Sequence, residues 1–397
     1  MNHESDATIG IFSFQISQTD LGPLFIDILG LDCDTHSPLS AALAECQAGS
    51  AETENELRKI AKDENVKKAA EILARPAFIM VNRTGGGSLP LSFFTACFSP
   101  ETDNDAFAVV TPSFEGSYMI QLFENPWIYL AWWLDLNASK ANERVANYIP
   151  PPISFESFVY LLHTIDAFRR SAYDGMLNYA PTEYPLMRVE AFTDSLKASI
   201  RSGDMRWLLP AFLGLTPGLD MSSFDETPEH FKPLAKLDFL LPTKNEDGTD
   251  DLLVFGEAGK IMGVEFYRTW FQSTGFEISV RAGEEWQIAG RGFLAPTGMA
   301  NHLTLVDPDQ AGGYPINHQA LTREMLDSKL ARLLTDAFAV MSPETAASEK
   351  DGVDLIQPAE QTQSAPIPTP SAAHCPNCGQ KAKPDDNFCI TCGSRLK

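Results

Sequence analysis

Two pairs of cysteines near the end of the chain constrain its folding more than any other feature of the sequence. Cys375 and Cys378 form one Cys-x-x-Cys pair, Cys389 and Cys392 form the second, and ten residues separate the pairs. A glycine follows each pair and lets backbone N–H groups approach the sulfur atoms. Four thiolates held in this way fit the tetrahedral coordination of a structural Zn²⁺, with no position open for a catalytic water.

The segment around these cysteines has few apolar residues with which to build a core of its own. Phe388, Ile390 and Leu396 are its main apolar side chains. We therefore expect zinc binding and folding of this segment to be coupled. The alternative interpretation, a redox pair or free thiols, leaves the two matched pairs with their glycines unexplained.

Residues 375–395 resemble the short zinc-ribbon modules found at the ends of many bacterial proteins. The resemblance implies Cys375, Cys378, Cys389 and Cys392 as the ligands of the structural Zn²⁺. It implies little about activity, because such ribbons are appended to many unrelated proteins.

The composition of the rest of the chain indicates where one structural segment ends and the next begins. Residues 343–373 hold five prolines and no aromatic residue, so they cannot bury enough apolar area to offset the entropy lost on ordering. The run Ile149-Pro150-Pro151-Pro152 is rigid and marks a second boundary. The sequence therefore predicts an α+β half at 1–149, a second α+β half at 150–342, a disordered linker at 343–373 and a zinc ribbon at 374–397.

The charge of the chain is strongly acidic and unevenly distributed. The formal net charge is −23, of which residues 343–373 contribute −4 and residues 374–397 contribute +2, so residues 1–342 carry −21. Such a surface repels phosphate backbones and anionic lipid headgroups. We therefore expect no nucleic-acid partner and no membrane partner.

The N-terminus and the remaining cysteines both indicate a cytoplasmic protein. The first six residues lack the basic region of a signal peptide. Cys33, Cys46 and Cys97 are scattered and odd in number, which argues against a disulfide framework. We interpret these three cysteines as small buried hydrophobic residues, because the sequence identifies no base that would activate them.

The spacing of apolar residues predicts an α+β fold in which antiparallel meanders pack with helices. Helices are expected over 38–75, 127–136, 188–201, 204–214 and 321–341, and in a longer helix that Ser154 caps. The first meander is expected over 77–123. The second β region is expected over about 239–306, with Ile261–Trp270 among its strands.

The two halves share an order of elements, in which helices precede a meander, and this order favours an old duplication. It resembles the order in the type VII secretion chaperones of the EspG family. The resemblance covers the body loosely, rests on no diagnostic motif and transfers no site residue. It implies a chaperone-like protein that binds other proteins.

Other possible sites have plainer interpretations. The run Gly85-Gly86-Gly87-Ser88 lacks the lysine that ends a phosphate-binding loop, so it favours a hairpin turn. His163 lies beside the apolar stripe of a predicted helix and is interpreted as a core or boundary residue. Tyr129, Trp132 and Trp133 share one face of another helix, where core packing is the default. Any exposed part of that aromatic cluster would be a candidate partner surface.

The leading functional interpretation is a cytoplasmic adaptor or chaperone-like protein with a protein partner. It rests on an acidic body in which no catalytic motif is recognised and on an appended ribbon. The alternative is an enzyme whose site is assembled from residues distant in sequence. A deep pocket with titratable groups of shifted pKa would favour the enzyme. A flat or grooved apolar surface would favour the adaptor. Oligomeric state and catalytic residues are not predicted.

Overall fold

A ten-stranded antiparallel sheet is the framework of the protein in the computed structural model. Residues Met1–Pro343 form one compact unit, here called the body. The structure describes residues 5–6, 10–45, 51–86, 89–100, 105–113, 116–143, 146–179, 187–219, 221, 224, 227–245, 247–248, 251–270, 272–307 and 315–341. The predicted linker and zinc ribbon therefore lie outside the described residues.

Strands and helices alternate in groups along the body. The strands are β1 (Ser5–Asp6), β2 (Ile11–Ser17), β3 (Phe78–Gly86), β4 (Leu89–Phe98), β5 (Phe107–Pro112), β6 (Ser117–Phe123), β7 (Met187–Arg188), β8 (Leu240–Thr243), β9 (Leu252–Phe255), β10 (Ser273–Ala282), β11 (Glu285–Pro296), β12 (Asn301–Val306) and β13 (Ile316–Leu321).

The α-helices are α1 (Gln18–Gly22), α2 (Ser40–Ala44), α3 (Ala51–Ile60), α4 (Glu64–Ala74), α5 (Pro126–Asn137), α6 (Phe155–Leu177), α7 (Val189–Ile200), α8 (Leu208–Leu215), α9 (Phe231–Lys236), α10 (Glu257–Thr269) and α11 (Arg323–Met341). A π-helical segment, Pro23–Ile28, follows α1, and a 3₁₀ turn, Pro228–His230, precedes α9.

The large sheet joins strands from both halves of the chain. Its order is β1-β2-β6-β5-β4-β3-β10-β11-β12-β13, and β7-β9-β8 form a separate small sheet. The two meanders meet where β3 pairs antiparallel with β10, from Ser273 opposite Gly85 to Val280 opposite Phe78. The predicted division at residue 149 stays a prediction, although both halves contribute to this one sheet.

Helices cover both faces of the large sheet. On one face, α5 and α11 pack against side chains such as Phe78, Phe107 and Phe276. On the opposite face, α1 to α4 cover the first meander around Ile79 and Cys97. The helices from α6 to α10 cover the second meander around Phe293. The α+β class predicted from the sequence is therefore confirmed.

Each meander stands between two helices in the same order. The first unit runs α4, β3 to β6 and α5, and the second runs α10, β10 to β13 and α11. The antiparallel pairing of β3 with β10 places the two units side by side around the centre of the sheet. This arrangement agrees with the repeated order read from the sequence, whereas a common origin of the halves stays a prediction.

One predicted strand is wrong. Ile261–Trp270 was expected to be extended, but residues up to Thr269 belong to helix α10. Ala258, Met262 and Phe266 recur every four residues and are buried on one face of this helix. Gly259 and Gly263 lie between them at the same spacing. They allow close contact with the backbone of Phe239 and the ring of Phe168, respectively. None of the described helices is both long and apolar enough to cross a membrane.

Candidate functional site

The four cysteines predicted to bind zinc lie outside the described residues, so the structure does not place them. In the described part of the chain, no group of three or more His, Cys, Asp or Glu side chains is arranged to hold a metal ion. Of the other cysteines, Cys97 is fully buried, and burial raises the pKa of its thiol. Cys33 is partly buried, and burial, then the charge of Asp32, raises its thiol pKa. Cys46 is not described.

The first half of β4 has a paired neighbour on one side only. Strand β4 pairs with β3 from Leu89 to Phe98, with a register irregularity between Leu89 and Ser92, whereas it pairs with β5 from Thr95 to Cys97. Beyond Thr95 the register of β4 with β5 places Thr111 and Pro112 beside Phe94 and Phe93, and no further ladder pairs are formed there among the described residues. We call this segment the open edge of β4.

Large apolar side chains of the open edge are accessible to solvent. Leu91 is 37% exposed and Phe93 is 42% exposed, and Ser92 between them is also exposed. Because neighbouring strand residues point to opposite faces, this stretch is uncovered on both faces of the sheet. Phe94 is buried and packs edge-to-face on Trp132 of α5, with ring centroids 5.5 Å apart. The open edge is therefore held in place by its last residue.

The aromatic cluster of α5 mostly faces the core. Tyr129 and Trp133 are buried, as the default interpretation predicted, and Trp132 is partly buried. Trp133 donates a hydrogen bond from Nε1 to Asn82 Oδ1 at 2.8 Å. Trp127, which lies off the shared face, is 50% exposed. The cluster therefore mainly holds α5 on the sheet.

A chain of hydrogen-bonded side chains crosses the core of the second half. Glu265 Oε1 of α10 lies 2.9 Å from His302 Nε2 of β12. His302 Nδ1 lies 3.3 Å from His318 Nε2 of β13, and His318 Nδ1 lies 3.0 Å from Thr304 Oγ1. All four residues are buried. We call them the buried polar chain.

Burial and mutual contact control the protonation of this chain. Burial, then the charge of His302, lowers the pKa of His318 well below its usual value. Burial raises the pKa of Glu265, but hydrogen bonding and the charge of His302 outweigh it, so the net shift is downward. The Glu265 carboxylate accepts a hydrogen bond from His302 Nε2, and the His318 ring bridges His302 Nδ1 and Thr304 Oγ1. Every polar atom along this path then has a partner.

The sequence analysis missed this chain, although it brings distant residues together. His302 and His318 face each other because β12 and β13 form a hairpin in which Thr304 pairs with His318. The cavity beside the two histidines measures about 10 Å³, which is room for about one water molecule. Its other walls are largely apolar, including Phe158, Leu162 and Phe293. No substrate of ordinary size fits there.

A larger groove of about 660 Å³ lies between β13 and α11. Gln319, Glu324, Lys329 and Arg332 are among its lining residues, with the exposed Met325. Its charged lining side chains are Glu324, Lys329 and Arg332, so the groove carries both signs of charge.

The family comparison concerns the end of the chain alone. Residues 374–396 match the model of the zinc-ribbon domain family, and this range contains all four predicted ligands. A comparison with curated proteins finds no match to the chain. The end of the chain is thus a zinc-ribbon domain, while residues 1–373 have no family assignment.

The donor set of this domain fits zinc. Four cysteine sulfurs in two Cys-x-x-Cys pairs supply the soft ligands and the tetrahedral number that Zn²⁺ prefers. Zinc-ribbon domains usually bind the ion as a structural element, which makes this segment a zinc-binding module. Zinc coordination by Cys375, Cys378, Cys389 and Cys392 in particular stays a prediction.

Proposed function

We propose that the protein is an adaptor or chaperone-like protein that binds other proteins through its body and carries the zinc ribbon as a second contact. The observation that supports this function best is the exposure of Leu91 and Phe93 on a strand inside the large sheet. Large apolar side chains that stay accessible on a fixed strand are typical of a docking surface.

The alternative, an enzyme with a site assembled from distant residues, has less support. The buried polar chain combines distant titratable residues that have shifted pKa values and lies beside a cavity. That cavity is too small for a substrate, and its walls are largely apolar. A structural role in linking α10 to β12 and β13 accounts for the chain without a reaction.

The charge of the body narrows the class of partner. A charge of −21 on residues 1–342 accelerates the approach of basic proteins and repels acidic ones. The zinc ribbon has a side-chain charge of +2, and the two negative charges left by four thiolates and Zn²⁺ bring it near neutral. The main electrostatic attraction is therefore assigned to the body.

Affinity purification from the native cell tests the adaptor function. The zinc-loaded full chain is immobilised, and an unrelated protein of similar negative charge serves as the matched control. We expect a defined set of basic proteins to be retained by the chain and not by the control, and to be released by salt. A form ending at residue 342 should retain the same proteins more weakly, because the second contact is missing. Equal retention by chain and control would contradict the proposed function.

A further inference from the structure

The groove between β13 and α11 lies at the edge of the large sheet, where β13 is the last strand. Its volume of about 660 Å³ is within the range of pockets that bind small molecules. Gln319 and Leu321 line one wall, on the sheet face that α11 covers. Met325, Lys329 and Arg332 of α11 line the other wall. The fold therefore leaves room for a ligand between a strand and a helix.

The side chains of the α11 wall form one stripe along the helix. Met325, Lys329 and Arg332 follow one another at spacings of four and three residues, which place them on one helix face over about 10 Å. Met325 is 53% exposed, and its flexible thioether offers an apolar surface to a ligand. This wall thus combines two positive charges with an apolar contact.

The two cations of the groove lack a strong counter-ion. Lys329 is half-buried, and no carboxylate among the described residues forms an ion pair with it. Arg332 Nε lies 3.7 Å from Asp336 Oδ2, but both side chains are well exposed, so this pair contributes little. Glu324 is the one acidic residue among the described residues that line the groove. The lining is therefore positive by one charge, in a body whose charge is −21.

We infer that this groove binds a small organic anion, a molecule that carries a phosphate or carboxylate group beside an apolar group. Lys329 and Arg332 hold the anionic group through charge-assisted hydrogen bonds, and the apolar group contacts Met325. The side-chain amide of Gln319 makes no hydrogen bond to the described residues, so it can bind a polar atom of the ligand. This inference goes beyond the proposed function and does not depend on it.

The charge of the body favours a small ligand over an acidic protein segment. A protein that is rich in Asp and Glu is repelled as a whole by a body of charge −21. A small molecule brings one or two negative charges, which the two cations of the groove balance locally. The inferred ligand is therefore a small molecule.

The experiment uses the zinc-loaded full chain and three small probes. Phenyl phosphate and phenylacetate carry the two kinds of anionic group, and phenylacetamide is the uncharged counterpart of phenylacetate. Ligand-observed NMR titration at low salt measures the dissociation constant of each probe for the wild type, for Lys329→Gln and for Glu324→Gln. Lys68→Gln is the matched control, because Lys68 is also a half-buried helical lysine, and its helix α4 covers the opposite face of the sheet.

We expect at least one anionic probe to bind the wild type, and Lys329→Gln to weaken this binding at least about tenfold. We expect Glu324→Gln to strengthen the binding about twofold or more, because a repelling carboxylate is removed. Lys68→Gln should leave the binding unchanged. The anion that binds more tightly identifies the anionic group as phosphate or carboxylate. Thermal unfolding of each variant checks that the body is folded.

Several results would overturn the inference. Absence of binding by both anions to the folded wild type is one, and equal binding of phenylacetamide and phenylacetate is another. Unchanged affinity in Lys329→Gln, or equal weakening in Lys329→Gln and Lys68→Gln, would show that the groove does not recognise the anion. A capped peptide of four glutamates tests the other occupant. If it binds more tightly than either anion and Lys329→Gln abolishes that binding, the groove belongs to an acidic protein segment instead.

Discussion

At the scale of single residues, the second half of the body holds several histidines away from water. His163 Nε2 lies 2.7 Å from Ser195 Oγ, while His163 Nδ1 is buried with no hydrogen-bond partner among the described residues. Burial, followed by the charge of Arg170, lowers the pKa of His163 to about 3. His318 is shifted in the same direction within the buried polar chain. Both imidazoles are therefore neutral in the folded protein near neutral pH.

These shifts predict a loss of stability in mild acid. The unfolded chain binds a proton at each histidine below about pH 6.5, whereas the folded chain does so only near the depressed pKa. The contribution of neutral His163 to the free energy of unfolding is thus fully present above pH 6.5. It declines as the pH falls from 6.5 toward 3. We expect His163→Gln to reduce the slope of unfolding free energy against pH by about 1.4 kcal/mol per pH unit in that interval. Urea denaturation of the full chain at several pH values measures this slope.

His36→Gln is the matched control for this prediction. The side chain of His36 is 51% exposed, so its imidazole stays in contact with water in the folded chain. Its replacement should leave the slope close to that of the wild type. An unchanged slope in His163→Gln would show that His163 takes up its proton equally in both states.

The residues of the body differ in how far the sequence predicts them. His163 lies beside the apolar stripe of one helix and was interpreted as a core or boundary residue, and at 1% exposure it lies in the core. His302 and His318 were not connected by the sequence analysis. Their contact depends on the register of the β12–β13 hairpin, and a shift of one residue would turn these side chains to the opposite face. No local pattern fixes that register.

At the scale of elements, the first meander was predicted because turn residues separate its apolar runs. Helix α10 was not, because its aromatic and β-branched residues favour strands when read one by one. Its helical state depends on tertiary packing of its glycines against α6 and Phe239. Local sequence therefore predicts strands that are bounded by clear turns better than it predicts helix α10, which depends on close packing.

Close packing of α8 on β10 leads to a prediction at this scale. A Cβ atom added at Gly275 would lie 2.1 Å from the carbonyl oxygen of Leu215, at the end of α8. The contact is with backbone, so no side-chain rotation relieves it. We expect Gly275→Ala to lower the free energy of unfolding by about 3 kcal/mol. Chemical denaturation measures the change. Gly203→Ala is the control, because no atom of the described residues, apart from its chain neighbours, lies within 4 Å of the added Cβ there. Equal stability of the two variants would contradict the packing described.

At the scale of the whole molecule, the chain combines an acidic body with a zinc-ribbon domain at residues 374–396. The sequence identified the ribbon directly, because its cysteine spacing is a local pattern that depends on metal chemistry rather than on tertiary packing. The open edge of β4 could not be identified in that way. It depends on where β5 stops pairing with β4, which is a property of the assembled sheet.

The cysteine pairs predict one zinc ion per chain. We expect elemental analysis of the purified protein to find this ratio, and Cys389→Ser to reduce it strongly, because three sulfurs no longer complete the tetrahedral set. Cys33→Ser is the matched control, since Cys33 lies in the body, and it should leave the zinc content unchanged. A wild type without zinc, or a Cys389→Ser variant with undiminished zinc, would show that the pairs serve another purpose.

The pairing of β3 with β10 has a consequence for the order in which the protein is made. Thr84 and Thr274 share a hydrogen bond across this pairing, yet they are 190 residues apart in the chain. At roughly 5–20 residues per second, a ribosome needs on the order of ten to forty seconds to reach the second strand after completing the first. During that interval the inner edge of β3 has no partner. The newborn first half is therefore exposed to mispairing with neighbouring chains until translation delivers β10.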